Sequence, residues 1–348
     1  IACGTNGSDE PHAVYLVDLS GATYEKIAEG QVLHYPFLWV NAAHVSDTGA
    51  LDLDSLGYYD DPPVIYNLTH FAKRMLEFWR VHASMGIVFL GTSHTAYGVD
   101  PAFFTGEPVY NMAFSGCCMG MALSIINNYV LNHCPSIKLI GCDILPGEMN
   151  SVDYYGEWNA LAANKGYNYD KNHQFWKEGL PANFEKFMAL VPCPDLPNID
   201  TLGLERAPCM NWEGPAPEIT SSQLWTFNDP EAYTAYRENF QKIKDLAQTL
   251  ADRKIHFLLY LTPESPQYRF TDSYCRDGPS RATGEAVVSQ LKALQDSIPG
   301  YFHFYDANRG GDHDYADSEA YDCDHLCPAG ARKLSARLDS LARAILNP

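Results

Sequence analysis

Two stretches far apart in the chain hold side chains that could work as one unit. The first is Gly91-Thr92-Ser93-His94-Thr95, directly after the apolar run Ile87-Val88-Phe89-Leu90. The second is Asp322-Cys323-Asp324-His325-Leu326, just ahead of a helical pattern near the C-terminus. A serine hydroxyl is a weak nucleophile at neutral pH and needs a base within hydrogen-bond reach. His325 can be that base, and Asp322 can hold its other ring nitrogen and fix the tautomer. Asp324 is the alternative partner for the ring, although D-x-x-H spacing favours Asp322. A third stretch, Asn111-Met112-Ala113-Phe114-Ser115-Gly116, follows another strand-like run and offers the Gly116 N–H to a developing oxyanion. Alone, each piece has a plain structural reading, because a serine or aspartate at such a turn is commonly a helix N-cap. Together, in this order, they point to acyl transfer through a serine.

Such groups have to be positioned by a regular scaffold. From about residue 67, Leu68, Phe71, Met75 and Phe78 recur at helical spacing. The run Ile87–Leu90, ended by Gly91, predicts a buried parallel strand. Further strands are predicted at 108–112, 137–142, 255–261 and 301–305. Helices are predicted at 119–130, 230–253 and 282–297, with a last one carrying Leu334, Leu338, Leu341 and Ile345. This alternation predicts a three-layer α/β/α sandwich, flavodoxin-like, around a central parallel sheet of about five strands. In such sheets ligands bind at the carboxyl ends of the strands. Residues 148–228 show no clear period, hold Trp158, Trp176, Trp212 and Trp225, and read as a large insertion or cap. Residues 1–63 read as an N-terminal extension, with a β-hairpin from runs at 12–19 and 24–28 and an Asp/Gly/Pro-rich linker at 45–63. The main domain then spans 64–348.

The chain has 348 residues, 46% of them hydrophobic, with 22 Tyr, 16 Phe and 6 Trp, which excludes intrinsic disorder. No run is long and apolar enough to predict a transmembrane helix. With 24 Lys+Arg against 43 Asp+Glu, the net charge of −19 disfavours nucleic acid and anionic membranes as partners. Ten cysteines without a C-x2-C pair argue for disulfides and an oxidising compartment rather than zinc. Cys193 and Cys209 are expected to pair. Ile1-Ala2-Cys3-Gly4 and the polar residues after it read either as the end of a lipoprotein signal, with Cys3 carrying a lipid anchor, or as an accidental cysteine. The run Asp312-His313-Asp314-Tyr315-Ala316-Asp317 lacks the alternation and glycine of an EF-hand and reads as a solvated acidic loop. His94 could be a second acid/base, a substrate contact, or simply a polar residue in the first turn of a helix.

On these residues the chain resembles the SGNH (GDSL-like) hydrolase superfamily. Gly91-Thr92-Ser93 matches its nucleophile block, Asn111 to Gly116 its second block, and Asp322 to His325 its D-x-x-H block. The resemblance covers roughly 67–348, interrupted by the insertion. Gly141-Cys142-Asp143-Ile144, Gly166-Tyr167-Asn168-Tyr169-Asp170-Lys171-Asn172-His173 and Tyr305-Asp306-Ala307-Asn308 are similar to a large paralogous family described from Fibrobacter, a plant-fibre degrader. In that family such a domain is C-terminal and follows β-propeller-like repeats. The resemblance implies Ser93 as nucleophile, His325 as base, Asp322 as its partner, and an oxyanion hole of Ser93 and Gly116.

One position departs from the superfamily. Its third block places an Asn donor where this chain has Asp143. An ionised Asp143 facing an oxyanion would destabilise it, so it must be protonated, turned away or replaced, with Asn150 the nearby substitute. His94, Asp143, Trp158 and Trp176 are the expected substrate-binding residues. The tryptophans would stack on sugar rings or form the insertion's own core. The implied function is a secreted or cell-surface serine esterase removing acyl groups, foremost acetyl, from plant polysaccharide or oligosaccharide. The alternatives are an extracytoplasmic polysaccharide O-acyltransferase and a non-catalytic carbohydrate-binding module on a decayed hydrolase fold. No metal or organic cofactor is implied.

Overall fold

The short apolar runs become the strands of one parallel sheet. In the computed structural model these are β1 (Ile87–Leu90), β2 (Val109–Asn111), β3 (Leu139–Asp143), β4 (His256–Leu261) and β5 (Phe302–Asp306). The structure describes residues 81–150, 197–213, 224–276 and 278–348, with 2–3, 12–18, 23–30, 37–39, 57–59, 70, 73–74, 77–78 and 80. The strands lie in the order β5-β4-β3-β1-β2, every neighbouring pair parallel. Every residue of β1, β2 and β3 is buried, which is why these strands show no polar alternation in the sequence.

The helices that cover the sheet are α1 (Ser93–Gly98), α2 (Met119–Ile125), α3 (Pro230–Asp252), α4 (Arg281–Ser297) and α5 (Pro328–Leu346). α2 continues through a wider π turn, Ile126–Val130, to Leu131–His133. The start of α3 follows from local chemistry: the Asp229 side chain accepts from the Glu231 and Ala232 N–H groups, and Pro230 fills a position that needs no donor. α5 buries Leu334, Leu338, Ala342 and Ile345 along one stripe against Ile87, Phe89 and Val99. The architecture is the expected three-layer α/β fold.

From β1 the chain moves to one side for β2, then crosses to the other side for β3. That reversal leaves a crevice at the carboxyl ends of β1 and β3. Ser93 and Asp143 both sit there.

The chain divides into two compact units, Ile1–Arg80 with Tyr154–Asp195, and Val81–Asp153 with Leu196–Pro348. In the first unit His12–Asp18 and Thr23–Gly30 form the expected antiparallel hairpin, and Ala2–Cys3 adds a third strand. Phe37–Trp39 pairs antiparallel with Gly57–Tyr59, so part of the stretch read as linker is a strand. The boundary expected near residue 63 and the single insertion at 148–228 differ from this division. The chain up to Arg80 belongs with the N-terminal unit, whereas 197–213 belongs with the parallel sheet. Local periodicity carries no signal for such long-range contacts.

Trp158 and Trp176 lie outside the described residues. Trp212 and Trp225 are core residues, 4% and 6% exposed, and Trp212 Nε1 donates to the Tyr315 carbonyl at 3.2 Å. Among the described residues no helix is long and apolar enough to cross a membrane.

The expected Cys193–Cys209 pairing is corrected. Cys209 is bonded to Cys327, 118 residues away and two residues beyond His325. Spacing alone favoured the nearer cysteine, but 197–213 lies against the C-terminal loop, where the Met210 N–H donates to the Ala320 carbonyl at 2.8 Å. In the chain-entropy model a loop of this length is worth roughly 5 kcal/mol. A Cys209→Ser, Cys327→Ser double variant should therefore unfold at clearly lower denaturant concentration, with a loss of about 3–5 kcal/mol. Non-reducing peptide mapping should recover a peptide joining Cys209 to Cys327.

Candidate active site

The nucleophile turn begins at Gly91, whose φ of +133° favours glycine and whose missing side chain leaves room for the Asp143 carboxylate. A Cβ at this position would run into that carboxylate. Thr92 caps α1, its side chain accepting from the His94 N–H, and Ser93 is the first helical residue. Asn111, fully buried at the end of β2, donates to the Thr95 and Val99 carbonyls and accepts from the Ala113 N–H. This amide fixes α1 against the second loop. The Phe114 N–H reaches the Gly91 carbonyl at 3.3 Å, which brings the 112–117 loop beside the serine turn.

The histidine loop is equally determined. Asp322 Oδ1 accepts the N–H groups of Asp324 at 3.0 Å and His325 at 2.8 Å, an Asx-type turn. The His325 carbonyl accepts from the Tyr321 N–H, and an Ala320–Leu326 bridge closes the loop. A three-residue spacing thus folds the imidazole over the carboxylate that precedes it.

The structure brings the three expected residues together. Ser93 Oγ lies 2.7 Å from His325 Nε2, and His325 Nδ1 lies 3.0 Å from both Asp322 oxygens. Burial alone would lower the His325 pKa, but its bonds to Asp322 and Asp324 outweigh that and push it up to about 9. Tyr97 of α1 packs its ring edge-on against His325 at 5.3 Å. Its hydroxyl donates to Glu205 at 2.8 Å, so the 197–213 segment helps brace the site. Among the described residues neither the Ser93 nor the Gly116 N–H has an acceptor. Gly116 is exposed with φ +79°. Both fit the role of oxyanion donors.

Three other expected residues are placed by the fold. Asp143 is 5% exposed and turned toward the nucleophile turn. It accepts the Thr92 N–H at 2.9 Å, the Thr92 hydroxyl at 2.7 Å and the Thr95 N–H at 3.2 Å. Burial raises its pKa, against the opposing effect of His94 and of these hydrogen bonds. Asp143 therefore caps α1. His94 is also 5% exposed. Its Nδ1 meets Thr92 Oγ1 at 2.9 Å and its Nε2 meets Asp324 Oδ2 at 3.2 Å, with its ring stacked 4.7 Å from His325. Asn150 ends the 3₁₀ turn Pro146–Asn150, half-buried, with no hydrogen bond to the serine–histidine pair.

The sequence reading missed Arg276 and Asn111 as site residues and weighed Asp324 only as a substitute for Asp322. Asn111 opens the Asn111–Gly116 motif, whereas nothing around Arg276 signals its contact with residue 324. His94, Asp324 and His325 offer donor atoms within 4.8 Å of one another, a spacing that could suit a metal. Asp324, however, is already held by Arg276 and the His325 Nδ1 by Asp322, so the set fits a hydrogen-bonded charge network better than a cation. In the 312–317 loop, Asp314 is taken by Arg337 and Lys333.

No family model matches the chain, and no curated protein matches it. Solved structures do match. One is a chain from Streptococcus pneumonia, provisionally described as a platelet activating factor, at 13% identity and a TM-score of 0.41. The match covers 79% of this chain and 94% of that one. At that level it carries no argument about activity, and the reading of the site rests on its own geometry.

Asp143→Asn tests the capping role. Removing its charge should cost about 1–3 kcal/mol of stability by weakening buried hydrogen bonds. Thermal unfolding checks this, and a variant as stable as the parent protein would contradict the capping role.

Proposed function

We propose that the protein is a serine esterase of SGNH type that removes acyl groups, foremost acetyl, from polysaccharide. The observation that carries this reading is the continuous Ser93–His325–Asp322 hydrogen-bonded set at the carboxyl edge of the sheet. With its ring neutral, His325 takes the Ser93 proton as the hydroxyl attacks the ester carbonyl. The resulting imidazolium is stabilised by Asp322, which does not itself accept the proton. The Ser93 and Gly116 N–H groups hold the oxyanion of the tetrahedral intermediate. His325 then protonates the departing sugar oxygen as its bond to the acyl carbon breaks, leaving the acyl group on Ser93. A water deprotonated by the same ring attacks that acyl-serine to release the acid and restore the Ser93 hydroxyl. The net charge of −19 suits a neutral acylated sugar better than a polyanion. A decayed, non-catalytic fold found its best argument in Asp143, and the capping role accounts for that residue. The Cys209–Cys327 disulfide fits an extracellular or cell-surface location.

Incubation with acetylated xylan and with aryl acetates tests the reading by released acetate. Ser93→Ala should lose roughly 10⁴-fold or more, and His325→Ala a comparable amount, because the two act as one unit. Asp322→Asn should lose a smaller or similar amount. As His325 must be unprotonated, kcat/KM should rise with pH and reach half its limit near 9. An unperturbed imidazole would instead put that midpoint at about 6.5. Esterase activity undiminished in Ser93→Ala would overturn the proposal.

A further inference from the structure

His325 is flanked by two carboxylates, not one. Besides Asp322, Asp324 Oδ1 lies 3.1 Å from His325 Nδ1. The two acids sit in different surroundings. The Asp322 side chain is 25% exposed, whereas that of Asp324 is 2% exposed. At equal distance, a charge shielded from water acts more strongly on its neighbour.

Asp324 is also built in. Arg276 Nη1 donates to both of its oxygens at 2.8 Å, and His94 Nε2 meets Oδ2 at 3.2 Å. Burial alone would raise the Asp324 pKa, but its bonds to His325 and His94 hold it well below the usual range. His94 in turn reaches Thr92, and Thr92 reaches Asp143. Asp324 therefore links the histidine loop to the nucleophile turn through buried polar contacts. Glu264, 2% exposed, accepts the Arg276 N–H at 2.6 Å, and burial with the nearby Asp324 charge pushes its pKa well up. Glu264 is thus pushed toward its neutral form, in contrast to Asp324. Cys323 Sγ, 3.4 Å from Asp324 Oδ1, adds a thiol that burial keeps neutral.

We propose that Asp324 is a second positioning carboxylate for His325, held in place by Arg276 and His94, and that it sets the basicity of the imidazole jointly with Asp322. The inference rests on the reading of His325 as the general base, but its geometry does not require any particular substrate. Two flanking anions stabilise the imidazolium more than one does, so the neutral imidazole between them is a stronger base. Arg276 acts in the opposite sense, because its charge offsets part of the Asp324 field.

The experiment is an NMR pH titration of the His325 ring in full-length protein labelled at histidine, assigned with His325→Gln. It requires no turnover, so its failure is distinct from failure of the esterase reading. Asp324→Asn should lower the His325 midpoint by about one unit or more, a tenfold change in proton affinity. Asp322→Asn should leave it above the unperturbed value of about 6.5, because the Asp324 charge remains beside the ring. A role confined to holding the loop would not move the midpoint of a folded Asp324→Asn variant. If Asp324→Asn does not fold, Asp322→Asn still decides: a midpoint at or below about 6.5 in that variant overturns the proposal. An Asp324→Asn midpoint equal to that of the parent protein overturns it as well.

Discussion

The hydrogen bond between Ser93 and His325 spans 232 positions of sequence, and its 2.7 Å length sets the tolerance for everything around it. A nucleophile and its base must meet within a few tenths of an ångström in a stated orientation, although they come from opposite ends of the unit. The sheet meets this demand by making both partners terminal to rigid elements. Ser93 starts α1 at the end of strand β1, and His325 precedes α5, whose buried stripe shares a core cluster with Ile87 and Phe89 of that strand. The Asp100 N–H bonds to Ser335 and the Thr105 N–H to Asp339, so the chain after α1 is pinned to α5 at two further points. The Cys209–Cys327 bridge ties the same loop to a third segment.

The second constraint is electrostatic. Asp143, Asp324 and Glu264 are all at most 5% exposed, and buried carboxylates are costly unless their oxygens are satisfied. Each is answered differently. Asp143 takes the donors at the start of α1, Asp324 takes Arg276 and lies within ion-pair distance of two imidazoles, and Glu264 is pushed toward its neutral form. A half-satisfied network of this kind would be worse than an apolar core, so its members fix one another's orientation. That rigidity is what a preorganised site requires.

The strands were legible because short apolar runs ended by glycine or polar turns have few other readings. β4 and β5 begin and end within one residue of expectation. Ser93, Asp322 and His325 were legible for a related reason. Each sits in a local motif whose geometry is set by its own turn, as with Asp322 and the His325 N–H. What escaped notice depends on contacts between distant segments. The Asp143 side chain caps α1 because the Thr92 and Thr95 N–H groups that it accepts follow the neighbouring strand β1. Arg276 reaches Asp324 from a loop with no recognisable motif. Cys209 pairs with Cys327 because of how 197–213 packs, which spacing cannot foretell.

The central claim is that Ser93 is a nucleophile activated by His325, and active-site labelling tests it most directly. Intact and peptide mass spectrometry after treatment with an alkyl fluorophosphonate at alkaline pH would locate the covalent adduct. The account predicts one adduct, on the peptide containing Ser93, formed faster as pH rises through about 9 and absent in Ser93→Ala. An adduct that persists in Ser93→Ala, or esterase activity in a protein whose Ser93 remains unlabelled, would contradict it.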